Sequence, residues 1–155
     1  MLSKEQVSAI GLLSDTILYP EAVALIGQLV REEECDPLPT SQVTGLLNVA
    51  ASATYDQLYT FVVHQRDRNW PASKSDIPKF YTAFEKYLTL MQKKRLKDEF
   101  HLLTDGLNTK VAKEESDELM AQLARNFIQH LVAENGLFVA AQADARARGR
   151  ANRSR

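Results

Sequence analysis

Cysteine is nearly absent from this chain, with Cys35 alone among 155 residues. A single thiol excludes an internal disulfide and a zinc site built on several cysteines, and it suits a reducing cytoplasm. A signal-peptide apolar block is also missing, because Lys4, Glu5 and Gln6 fall where it would begin. No run approaches the ~20 consecutive apolar residues that a bilayer crossing takes. A soluble, cytoplasmic protein with no membrane partner is therefore expected. Alternating apolar and polar runs bounded by hairpin turns are lacking, so no strand competes for the chain. The phosphate-loop, dinucleotide and nucleophile-elbow fingerprints are absent as well. His64, His101 and His130 lie far apart without metal-ligand spacing, and Cys35 follows three glutamates that would raise its thiol pKa. No enzyme activity, no metal and no cofactor is expected.

What remains is enough to fold. Apolar residues make up 45% of the chain, and the length suits one domain with a real core. The periodicity is helical throughout. Ser3 and Gln6 form a candidate capping box before Val7, Ile10, Leu13, Ile17 and Leu18. Pro20 opens a second helix carrying Val23, Ile26, Leu29 and Val30, which ends on the acidic run Glu32–Glu34. A third starts at Pro39-Thr40, with Thr40 or Ser41 offering a capping hydroxyl and Val43, Leu46, Leu47 and Ala50 forming its stripe. It continues, or breaks near Ala53-Thr54, into Tyr55, Leu58, Phe61 and Val62. Ser75 or Asp76 caps a long helix that Gly106 stops, and a last helix runs from about Ser116 to an Asn135-Gly136 terminator. The expectation is all-α: a compact bundle of about five to six helices in a single domain, residues 1–142. Residues 143–155 have too little apolar surface to order themselves and are expected to form a disordered basic tail.

The formal net charge of −1 hides segregation. Residues 1–36 carry two basic and seven acidic residues, whereas residues 37–110 carry ten basic and seven acidic. Residues 111–143 are acidic again, and the tail holds Arg146, Arg148, Arg150, Arg153 and Arg155 against Asp144. On the long helix, Phe80, Phe84, Tyr87 and Met91 share one side, and Lys79, Lys86, Lys93 and Lys97 fall within about 40° of one another on a different side. Lysines so placed suit the phosphates of a nucleic-acid backbone, and equally an ordinary solvated face. Arg66 and Arg68 beside Trp70 form a second candidate, in which the tryptophan either stacks on a base or packs back on the body. The tail arginines, spaced by small residues, are free to wrap a polyanion or simply to keep the chain soluble.

Two stretches carry a family resemblance. Leu38-Pro39-Thr40-Ser41-Gln42-Val43-Thr44-Gly45-Leu46-Leu47, and the last helix from Leu123 to Gly136, resemble the small helical subunit of type III CRISPR effector complexes. Gln42 and Thr44 stand where that family's motif carries basic residues. The resemblance implies a compact helical bundle without an active site, which stabilises the guide-RNA/target-RNA duplex by backbone contacts in antiviral defence. It implies as partners guide and target RNA, other CRISPR effector subunits and further copies of the chain itself. Arg66, Arg68, Lys79, Lys86, Lys93, Lys97, Arg146, Arg148 and Arg150 are then the candidate nucleic-acid-binding residues. The other reading is a helical protein–protein adaptor with acidic contact faces and no nucleic-acid role.

Overall fold

The computed structural model describes residues 1–154, so Arg155 lies outside the described residues. These residues form six α-helices: α1 (Lys4–Leu13), α2 (Tyr19–Gly27), α3 (Thr40–Ser52), α4 (Tyr55–Asp67), α5 (Asp76–Leu90) and α6 (Thr109–Arg153). No strand occurs among the described residues. A π-helical segment, Ser14–Leu18, joins α1 to α2, and a second, Gln28–Glu32, extends α2. The result is one continuous rod over Lys4–Glu32. A third, Met91–Glu99, extends α5. The bundle therefore has five rods.

The expected break at Pro20 does not occur. Proline inside a helix lacks its amide donor and crowds the carbonyl one turn back. The wider π turn ahead of Pro20 absorbs this, and the rod passes through without a stop. Both π-extended helices close in the same way. Glu34 and His101 take positive φ (56° and 50°), and the next amides, of Cys35 and Leu102, reach six residues back to Leu29 and Leu96. His101 thus ends the long helix several residues before the expected stop at Gly106, which lies in the following loop.

The rods alternate in direction. The loop before α3 meets α6 at Asn135, and Arg125 reaches the carbonyl of Ala50, so α3 runs opposite to α6. Asp76 holds the Asp36 amide at the far end of the first rod, whereas Leu102, past the end of α5, meets Gln6 near its start. Arg31 packs beside Phe138 and Gln6 bonds Glu115, so the first rod lies parallel to α6. Phe80, Phe84 and Leu88 from α5 and Met91 from its extension meet Leu119, Leu123, Phe127 and Leu131 from α6 in one core. Tyr87 stacks on Phe127 with ring centroids 3.9 Å apart.

Capping chemistry sets several of these boundaries. The Ser3–Gln6 capping box forms, and Thr54 with Gln57 makes a second one that separates α3 from α4. Thr40 and Ser41 do not cap α3. Pro39 is its N-cap residue in extended conformation, with no side-chain bond to the free amides. Ser75 makes no capping bond either.

The last helix departs furthest from expectation. It starts at Asn108, whose side chain accepts from the Val111 amide, and runs through Gly136 to Arg153. The expected disordered tail over 143–155 is thus helical through Arg153. Alanine and arginine are strong helix formers, and extending an existing helix avoids the nucleation cost. Arg150 and Arg153 also lie where the helix dipole favours cations. At about 1.5 Å per residue the stretch after Phe138 projects roughly 22 Å beyond the packed core.

Candidate nucleic-acid interface

Basic side chains matter for an anion only if no carboxylate already holds them. Arg66 is held: it forks onto Asp67 at 2.9 and 3.0 Å and lies 3.6 Å from Glu85. Glu85 is a hub that also accepts from the Tyr59 hydroxyl at 2.6 Å and from Thr89 at 2.8 Å. Those hydrogen bonds hold its carboxyl below the usual glutamate range. Lys79 pairs with Asp76 at 3.6 Å.

The rest of the basic set is freer. Lys86, Lys93 and Lys97 are exposed, as is Lys94, and none makes an ion pair among the described residues. They do not form the straight row that ideal α geometry predicts. The π turn over Met91–Glu99 winds less per residue than an α-helix, so Lys93 and Lys97 are carried around the axis relative to Lys79 and Lys86. The cations make a curved band instead. Arg68, at the end of α4, lies over the Trp70 ring at 4.5 Å. Trp70 packs on the body and donates its indole N–H to the Gln65 carbonyl at 2.7 Å, so its ring is not a free stacking platform.

Arg146, Arg148, Arg150 and Arg153 are exposed on the projecting part of α6. Helical spacing places Arg146, Arg150 and Arg153 within about 60° of one another, with Arg148 on the opposite side. The helix therefore sorts these charges onto two faces, which a disordered tail would not do.

A dense polar cluster centres on Arg95, which is buried in the extension of α5. It makes a two-bonded fork with Glu99 (2.6 and 3.0 Å) and donates to Glu21 at 2.7 Å, and Glu21 also accepts from the Tyr87 hydroxyl. Phe100 and Tyr87 flank the guanidinium. Burial works against its charge, but the bonds from the two carboxylates outweigh it and hold the arginine protonated. This cluster bolts the first rod to α5. Sequence periodicity held a signal for it, because Phe84, Leu88, Met91 and Arg95 fall on one helical stripe. The spacing put an arginine on the core face.

The histidines do not gather. His64 is exposed beside a shallow depression of about 370 Å³ with Tyr59 and Asp67, and His101 takes its left-handed turn elsewhere. His130 bonds the buried Ser14 hydroxyl at 2.9 Å and meets the edge of Tyr19. No group of histidine, cysteine and carboxylate side chains able to hold a metal occurs among the described residues. Cys35 is buried, and burial followed by the nearby Asp76 carboxylate raises its thiol pKa, with Glu33 contributing less.

Among the described residues, fold and surface define an all-helical protein with a curved band of cations on α5 and its extension that make no ion pair, and a basic helical arm. No family model matches the chain, and no curated protein or solved structure matches it.

Proposed function

We propose that this protein is a non-catalytic small subunit of a type III CRISPR ribonucleoprotein that steadies the guide-RNA/target-RNA duplex through its phosphates. The observation that carries the nucleic-acid reading is the placement of cations without an ion pair among the described residues: Lys86 on α5, Lys93, Lys94 and Lys97 on its π-helical extension, and Arg146, Arg150 and Arg153 along one side of the α6 arm. The CRISPR assignment rests on the resemblance at Leu38–Leu47 and Leu123–Gly136. Gln42, where that family's motif is basic, here accepts from the buried Tyr81 hydroxyl at 2.9 Å, so contact with RNA passes to α5 and the arm. Arg66 and Lys79 are tied to carboxylates and contribute less. Guide and target RNA, neighbouring effector subunits and other copies of the chain are the proposed partners, in the cytoplasm and without a cofactor.

The test is fluorescence anisotropy with a labelled RNA duplex at low salt. Reversing Lys86 and Lys93 to glutamate is expected to weaken binding at least tenfold, and so is reversing Arg146, Arg150 and Arg153. Unchanged binding in both variants sinks the reading. One observation favours the adaptor reading instead: only 28% of the most apolar 18-residue window in the first rod is buried. Copurification after nuclease treatment separates the two. Loss of the partners supports the ribonucleoprotein, and a retained protein partner without RNA supports the adaptor.

A further inference from the structure

A groove of about 820 Å³ opens between α1 and α6, and its two walls differ in chemistry. The α1 wall is apolar and small, formed by Val7, Ile10 and Gly11, whereas the α6 wall carries Glu118, Gln122 and Asn126. Spacing of four residues puts these three polar side chains in one row, in steps of about 6 Å along the helix. Gln122 and Asn126 are half-buried. The Asn126 side chain donates one bond to the Gln122 carbonyl at 2.8 Å, and the Gln122 side chain makes none among the described residues. The row therefore presents two carboxamides with donors and acceptors to spare. No lysine or arginine among the described residues lines the groove.

Those spare groups decide what can cover the groove. A helix or a lipid chain would strip their water and return no hydrogen bond, since a helix has already paired its own backbone. Nucleic acid would bring phosphates against Glu118 with no cation in the lining to hold them. An extended peptide instead offers one N–H and one C=O at every residue. Its alternate residues repeat about every 6.6 Å, close to the steps of the row, so they meet Gln122 and Asn126 in turn. Apolar side chains on one edge of such a peptide fall against Val7 and Ile10. The bare backbone of Gly11 leaves them room, because a Cβ there would meet nothing within 4 Å. Glu118 adds a charge preference. It faces the Met1 ammonium across 3.5 Å, in a contact between two exposed groups. Pairs of that kind are weak and exchange readily, so a lysine or arginine of the peptide can take the same place.

We propose that this groove holds an extended segment of a partner protein, with its main chain hydrogen-bonded to Gln122 and Asn126 and a basic residue on Glu118. The site shares no residue with the α5 band or the α6 arm, and it stands whether or not the chain binds RNA.

The test is heteronuclear NMR of the whole chain with the end-capped peptide Val-Lys-Val-Ser-Val-Ser and no nucleic acid. The valines suit the α1 wall and the lysine suits Glu118. Saturating shifts are expected at the Gly11 amide and the side-chain amides of Gln122 and Asn126, with half-saturation below about 1 mM. The same peptide N-methylated at alternate amides loses donors and should bind the wild-type chain about tenfold more weakly. Gln122→Leu with Asn126→Leu should lose as much, and Glu118→Gln about threefold, as an exposed pair would. Gly11→Phe fills the groove and should abolish binding. None of these four positions is buried, and circular dichroism checks that each variant folds. The proposal is overturned by the absence of any shift at about 5 mM peptide. Equal binding of the N-methylated peptide overturns it too, because the groove would then be an apolar trough that reads no main chain. Unchanged binding in the double leucine variant, or shifts confined to other surfaces, would do the same.

Discussion

Arg95 and Glu115 show how single polar side chains hold apolar rods in place. Truncating Arg95 to alanine removes the link between Glu21 and Glu99 and strips packing from Tyr87 and Phe100. The freed glutamates are partly exposed and rehydrate, so the loss falls short of the largest values for broken buried pairs. About 2–3 kcal/mol is expected, read by urea denaturation. Glu115 accepts from the amide and hydroxyl of Thr104 and from Gln6. Burial pushes its carboxyl up, but those bonds prevail and hold it below the ordinary value of 4.5. A depressed folded-state pKa contributes stability that is complete above the unfolded value and is lost as pH falls through the folded one. Stability is therefore expected to fall below about pH 4.5, and Glu115→Gln should flatten that fall while lowering stability at pH 7. An acid limb as steep in the variant as in the wild type would rule this out.

At the scale of elements, the boundaries that were legible are those with a local chemical cause. Ser3 with Gln6 announces the first helix, and the apolar stripes of α5 and α6 identify the core that Phe84 and Phe127 share. The boundaries that were missed depend on a partner far away in sequence. Asn135-Gly136 reads locally as a stop, yet Asn135 is 3% exposed and faces the chain before α3. It accepts from the Leu38 amide at 2.8 Å and donates to the Leu38 carbonyl at 3.1 Å, pairing both backbone groups of that residue. The start of the Leu38–Leu47 stretch is thus set by α6 rather than by Thr40. Asn135, like Arg95, falls on an apolar stripe, after Ile128 and Leu131, and a polar residue there signals a buried bond before it signals an end. Asn135→Leu leaves two buried backbone groups unpaired and should cost about 2–4 kcal/mol, with faster amide exchange at Leu38. Native exchange at Leu38 in that variant would show that the clamp is dispensable.

On the scale of the molecule, the proposed RNA binding and the stability draw on different parts. The body is held by the core between α5 and α6, and the arm beyond Phe138 contributes no residue to that core. Ending the chain after Gln142 should therefore leave the thermal midpoint within about 2 °C of the full chain and reduce the helical circular dichroism signal. The same truncation should change how binding to single-stranded RNA responds to salt. Each phosphate neutralised releases counterions and adds about −0.7 to the slope of log K against log salt. Lys86, Lys93, Lys94 and Lys97 alone predict a slope near −3, and adding Arg146, Arg150 and Arg153 brings it near −5. Because α5 runs from the arm's end of the bundle toward the other, one strand can follow the α5 band and reach the arm without reversing. The full chain is then expected near −5 and the truncated chain near −3. Equal slopes would mean that the arm meets no phosphate, leaving the α5 band as the nucleic-acid surface and the arm to contacts with protein.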